Sequence, residues 1–170
     1  MNTKITTVNL IITLILLIFS STSCTQDDDQ PVDEIAQMID EVRELTTTFS
    51  NHSAAQNAGW NNQMSPCVQH PTEGGMGIHF GRMEFFDGRI NHLEPQVLLY
   101  APNNNGDLEF LGVEYIIPFG ILPESEPAPM LFDEEYKKNH ELEIWALHVW
   151  TEKENPNGMF YDWNPNVNCN

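Results

Sequence analysis

The sequence predicts an α+β domain: an N-terminal amphipathic helix packed on a small, mainly antiparallel sheet, followed by an irregular tail tied by a disulfide. Three observations carry that expectation. Val32, Ile35, Ile39, Val42, Leu45 and Phe49 recur at three- and four-residue steps, the stripe of a helix with one buried face. From Met64 onward the pattern changes to short β-rich runs bounded by Gly, Pro and Asn, as in strands joined by turns. From Asn155 the chain has two Asn-Pro steps and the aromatics Phe160, Tyr161 and Trp163 but no period, and it runs to Cys169.

Ahead of the helix lies an address. Lys4 precedes an apolar run over residues 10–19, broken by Thr13, and Ser21-Thr22-Ser23 lead into Cys24. A charged start, an apolar run too short to cross a bilayer and small residues before a cleavage point describe a secretory signal. A cysteine directly after those small residues makes the segment resemble a bacterial lipoprotein signal, cut before Cys24 and lipidated there, with Ser21 standing where such signals usually carry Leu. The expected organisation is a signal over residues 1–23, an acidic tether (TQDDDQ) within residues 24–31, and one α+β domain over residues 32–170. Acidic residues behind the cysteine resemble the surface-export signal of some Gram-negative lineages. Thr25 resembles an outer-membrane sorting choice. The expected location is therefore the cell envelope, as an outer-membrane lipoprotein facing the periplasm or the exterior, with the membrane reached through the lipid on Cys24.

The elements follow in order. Pro31 suits a first helical turn, where its missing N–H costs nothing, and Asp33 and Glu34 favour the positive helix end. A continuation over residues 53–58 has Gly59 as its stop. Strands are expected over residues 76–80, 96–101, 108–118 and 141–151. The second and third flank Pro102-Asn103-Asn104-Asn105-Gly106-Asp107, whose Asn-Gly marks a hairpin. That stretch is rich in oxygen donors, but it lacks the alternating spacing and closing Glu of a calcium loop. Residues 122–130 contain three prolines and read as a loop.

Charge and cysteines narrow the function. The chain holds 25 acidic against 7 basic residues, a net charge of −18, which opposes binding to nucleic acid and to anionic lipid head groups. It suits divalent metals, cationic ligands or plain solubility. With Cys24 assigned to a lipid, Cys67 and Cys169 form an even pair in an oxidising compartment, and a disulfide is the natural reading. Closing a loop of roughly a hundred residues would stabilise the fold by ~4–5 kcal/mol in the chain-entropy model. The alternative, a Cys67/His70 metal pair, has no second cluster of soft ligands beside it.

Strand alternation sorts the polar residues by face. Glu114 is expected to share a face with Phe110, Gly112 and Ile116, and His148 with Leu142, Ile144, Ala146 and Trp150. His79 lies between Ile78 and Phe80, just after Gly74-Gly75-Met76-Gly77. Titratable groups in such settings are costly to bury without partners. If their strands are neighbours, His79, Glu114 and His148 form a two-histidine, one-carboxylate set able to hold zinc or non-haem iron. A metal centre, a metal-free polar pocket and structural hydrogen bonding all stand open at this point. His70, His92 and His140 fall in expected loops and are weaker candidates. No Gly-x-Ser-x-Gly elbow, phosphate loop, dinucleotide fingerprint or haem-attachment pattern is present.

Met76-Gly77-Ile78-His79-Phe80, Leu147-His148-Val149-Trp150, Asn155-Pro156-Asn157-Gly158-Met159-Phe160 and Trp163-Asn164-Pro165-Asn166-Val167-Asn168-Cys169, together with Val97 to Pro102 and Val113-Glu114-Tyr115, resemble a family of exported bacterial proteins of unknown function. The resemblance runs from about Ala54 to the end. It departs at Ile144-Trp145-Ala146, where the family carries a further histidine. It implies no activity, supports the Cys67–Cys169 bridge, and places His79, Glu114 and His148 inside family motifs. Three functions remain in view: a lipid-anchored binding or accessory domain with a small-molecule or protein partner, a metal-dependent enzyme using the triad, and an envelope assembly subunit.

Overall fold

Asp33 opens the structure as a helix cap: its carboxylate accepts the backbone N–H groups of Ile35 and Ala36, which otherwise have no partner at a helix start. This computed structural model describes residues 33–103 and 105–169. The expected signal over residues 1–23, Cys24, the tether over 24–31 and the expected helix residue Val32 lie outside the described residues. Helix α1 (Glu34–Thr46) runs into a single 3₁₀ turn (Thr47–Ser50) and then α2 (His52–Asn57), capped by Asn51. Gly59 follows with a positive φ of 111°, as expected for a stop. The buried stripe is Ile39, Val42, Thr46 and Phe49. Leu45 is only half-buried, and Thr46 holds a core position by bonding its hydroxyl to the Val42 carbonyl at 2.8 Å.

The sheet has seven strands. Five of them are β3 (Gly74–Gly81), β4 (Val97–Pro102), β5 (Leu108–Pro118), β8 (Lys137–Asn139) and β9 (Ile144–Val149). β1 (Asn62–Gln63) and β2 (Val68–His70) share the outer edge of β3, and the order runs β1-β3-β4-β5-β9-β8, antiparallel throughout. Two further pieces, β6 (Met130–Leu131) and β7 (Glu134–Glu135), pair with each other as a separate two-stranded sheet. The expected hairpin joins β4 to β5. Asn103 Oδ1 accepts from the backbone N–H of Asn105 and of Asp107, and Gly106 supplies the positive φ.

One face of the sheet packs against α1 and an aromatic core that includes Phe49, Trp60, Tyr100, Tyr115 and Trp145. The other face carries a smaller cluster built on Val97, Leu99, Leu111, Ile116 and Trp150, closed by Val167 from the tail. β5 is thus buried on both sides. Its face assignment corrects the expectation from strict alternation. Leu99 pairs with Gly112 and Tyr100 with Phe110, leaving Leu111 as an extra residue. This bulge turns Phe110 to the helix side and puts Leu111 on the side of Glu114. Leu142 also departs from expectation, because it lies in the turn before β9 and is exposed.

The tail is irregular and docked. Asn164 exchanges both backbone hydrogen bonds with Gly75 at 3.1 Å, Val167 is buried, and Cys67 is bonded to Cys169 with Cα atoms 5.6 Å apart. The disulfide overturns the alternative Cys67/His70 metal pair, since Cys67 has no free thiolate. His70 ends β2 rather than lying in a loop, and its ring packs on Trp163.

Close backbone approach fixes β3 against β4. Gly77 has φ +90°, and a Cβ there would lie 2.5 Å from the Tyr100 carbonyl oxygen. Gly77→Ala should therefore cost at least about 2 kcal/mol, since a clash with backbone cannot relax as a flexible side chain can. Urea unfolding followed by fluorescence should show the lower midpoint. An unchanged midpoint would mean that β3 can shift without penalty.

Candidate metal centre

Three strands each deliver one ligand-bearing side chain to the face opposite α1. Glu114 on β5 and His148 on β9 are direct cross-strand partners, so their side chains stand next to each other on one face. His79 comes from β3, with β4 between it and β5. It pairs with Leu99, and Glu114 pairs with Val97 two residues along the same strand. The approach is therefore diagonal across β4. Gly81 and Gly112 contribute no side chain on the same rows of pairs.

His79, Glu114 and His148 converge as the sequence suggested, with one ligand atom from each lying within 4.8 Å of the others. His79 Nε2 is 3.6 Å from Glu114 Oε2, and His148 Nε2 is 3.6 Å from Glu114 Oε1. Each carboxylate oxygen therefore faces one imidazole. The rings stand nearly perpendicular at 87°, with centroids 5.7 Å apart. Side-chain exposure is 12% for His79 and 5% for each of the other two, so water does little to offset their polarity. Glu114 Oε2 and both ring nitrogens of His148 are buried without a hydrogen-bond partner.

The separations distinguish two arrangements. A charge-assisted hydrogen bond would bring nitrogen and oxygen to about 2.7–2.9 Å. Donors sharing a tetrahedral ion with bonds near 2.1 Å lie about 3.4 Å from one another. The observed 3.6 Å contacts are longer than such hydrogen bonds, and each goes to a different oxygen of Glu114.

Of the outer ring nitrogens, that of His79 is hydrogen-bonded and that of His148 only lies near a carboxylate. Ser65 Oγ lies 2.9 Å from His79 Nδ1 and accepts the His79 backbone N–H at 3.3 Å, which leaves Nε2 turned to Glu114. His148 Nδ1 approaches Asp162 Oδ1 at 3.6 Å, an electrostatic contact, and Asp162 is held in turn by Lys137 Nζ at 2.7 Å. The His148 ring stacks on Trp150 at 17° between planes. An imidazole whose far nitrogen is oriented by a hydroxyl or carboxylate is the usual setting of a metal-ligating histidine.

Burial pushes His79 below the ordinary imidazole range, with His148 reinforcing that shift and Glu114 opposing it. Burial pulls His148 the same way, but the negative charges of Glu114 and Asp162 outweigh it and its pKa is raised. Asp162 would be raised by burial, yet His148 and Lys137 hold it below the usual carboxylate range. A metal ligand must be deprotonated, so an ion and a proton would compete for these imidazoles.

The remaining histidines lie apart from this cluster. His92 Nε2 meets Glu41 at 2.6 Å, His140 meets Glu124 at 3.0 Å, and His70 Nδ1 accepts the backbone N–H of Thr72 and of Glu73. His52, which the sequence reading did not single out, packs its ring on Phe80 and Tyr100 and is lowered by burial. Sequence reasoning also missed Ser65 and Asp162 as partners of the triad. Both lie outside the strands, where alternation gives no signal. Two surface clefts of about 530 and 440 Å³ are lined by other residues, among them Asn103, Glu109 and Lys153 in the first and Thr46, Ser50 and Glu152 in the second.

Compared with known protein families, curated proteins and solved structures, the chain matches none of them. The site therefore has to be read from its own chemistry.

Glu114 raises both imidazoles, so in metal-free protein Glu114→Gln should lower the titration midpoints of His79 and His148. Following the ring protons by NMR from pH 4 to 9 checks this. Unchanged midpoints would show that the three groups are not coupled.

Proposed function

We propose that the protein is an exported, lipid-anchored domain of the cell envelope whose sheet holds one divalent transition metal between His79, Glu114 and His148. The observation that carries the reading is the convergence of these three side chains with Glu114 Oε2 and His148 Nε2 buried and unpaired. Two imidazoles and one carboxylate suit zinc or iron(II). Such close burial favours an ion that is retained over one that turns over bulky substrates. The domain is then an accessory or binding module of the envelope, and the metal ties three strands together on the face that α1 does not cover.

A second reading rests on donor number. Three protein ligands leave a position for water or substrate, and the 12% exposure of His79 is the opening through which it would be reached. In a metal-dependent enzyme the ion would acidify a bound water, and Glu114 would serve as a third ligand or as a base beside it.

Metal content decides between a filled and a metal-free cluster. The full chain, purified without chelators or added histidines, should carry near-stoichiometric zinc or iron by mass spectrometry, and His79→Ala/His148→Ala should lose it. A wild-type chain that arrives without metal and takes up none on titration with zinc, iron(II) or copper(II) would sink the proposal.

The envelope location draws on the residues around Cys24 and on the acidic stretch behind it. The Cys67–Cys169 disulfide accords with an oxidising compartment. Cells fed a labelled fatty acid should incorporate it into the wild-type chain and not into Cys24→Ser. Label retained in that variant would refute the anchor.

A further inference from the structure

The two groups that orient the ligand histidines come from the two segments that the disulfide joins. Ser65, which contacts His79 Nδ1, lies two residues before Cys67. Asp162, which faces His148 Nδ1, lies seven residues before Cys169 on the tail. Ser65 sits in the gap between β1 and β2 along the edge of β3. There its hydroxyl takes the His79 backbone N–H in place of a ladder partner. The tail meets the same strand at its other end, through the Gly75–Asn164 bridge.

We propose that the His79–Glu114–His148 centre reaches full metal affinity only when the Cys67–Cys169 bond has closed, so that loading follows export. This rests on the metal-centre reading above and adds its regulation. In a reducing compartment both cysteines are thiols, and the covalent tie between the segments carrying Ser65 and Asp162 is missing. After export, the Cys67 or Cys169 thiolate attacks a disulfide-bearing oxidant to give a mixed disulfide. The second thiolate then displaces the oxidant as its dithiol, so that two protons and two electrons leave the pair as one S–S bond forms. Closure ties together the two segments that place Ser65 at 2.9 Å from His79 Nδ1 and Asp162 at 3.6 Å from His148 Nδ1.

Other contacts make the effect local. Met64 N–H bonds the His79 carbonyl at 2.8 Å, Val167 is buried, and Lys137 holds Asp162, none of them through the S–S bond. Opening the disulfide therefore loosens orientation without releasing the strands that carry the ligands.

The test is zinc affinity of the full chain, measured by competition with a chromophoric chelator. Oxidised wild type is compared with Cys67→Ser/Cys169→Ser, which cannot ligate through sulfur. The serine variant should keep its β-sheet circular dichroism and bind zinc about 10–100-fold more weakly, the range expected when outer partners of metal ligands are lost. Ser65→Ala and Asp162→Asn, each with the disulfide intact, should weaken binding within the same range. Adding both to the serine variant should then weaken it little further. Equal affinity in the serine variant and wild type would overturn the proposal. Collapse of the whole fold in that variant would overturn the local route and assign the effect to global stability. Failure of oxidised wild type to bind zinc, iron(II) or copper(II) at all would remove the metal centre itself, an outcome distinct from a site that binds equally in both redox forms.

Discussion

A carboxylate on the central strand, flanked by two imidazoles and almost out of contact with water, is the constraint around which this half of the molecule is arranged. Glu114 lies on β5, which is buried on both faces, and taking a charge from water costs several kcal/mol unless partners compensate. The compensation comes from strands on either side. β9 brings His148 into direct register, and β3 reaches over β4 with His79. The loop before β2 and the C-terminal tail then bring Ser65 and Asp162 to the outer nitrogens of the imidazoles. A shift of one residue in the pairing of β5 with β9 would turn His148 into the aromatic core and leave Glu114 opposite an apolar side chain. The polar cluster and the register of the sheet therefore specify each other.

The Leu111 bulge shows how the two cores are reconciled. The helix face needs Phe110 beside Tyr100, whose rings lie 5.3 Å apart, while the opposite face needs both Glu114 and the apolar Leu111. Strict alternation cannot supply this over an eleven-residue strand. One extra residue resets the faces midway. At Gly112 a Cβ would meet the Val149 carbonyl oxygen at 2.3 Å, so the absence of a side chain there lets β9 approach closely enough for His148 to face Glu114.

Much of this was legible in the sequence because it rests on period. The stripe from Ile35 to Phe49, the Asn-Gly hairpin and the alternation that exposed His79, Glu114 and His148 as polar groups in apolar strands all follow from geometry that repeats along the chain. The cysteine pairing followed from an even count once Cys24 was set aside. What stayed hidden was aperiodic. The bulge at Leu111 leaves no mark in the apolar run, so Phe110 was expected on the wrong face. Thr46 fills a core position because its hydroxyl is satisfied by its own helix, which polarity alone conceals. Ser65 and Asp162 meet the histidines through a loop and a tail whose paths depend on tertiary contacts, the disulfide among them.

The distances within the triad bear on why such a cluster persists. Were Glu114 and the histidines only a structural tie, the gain would come from short hydrogen bonds, since a buried pair offsets desolvation only when its geometry is close. His92 and Glu41 show what this chain does in that case, meeting at 2.6 Å where the imidazole side chain is 21% exposed. The triad is more deeply buried and its contacts are longer, at 3.6 Å on both sides of the carboxylate. Closing one contact would pull the carboxylate away from the other imidazole, because the histidines approach it from strands on opposite sides of β5. In the proposed metal-bound state a cation would attract all three donors at once, so that neither contact need close at the expense of the other.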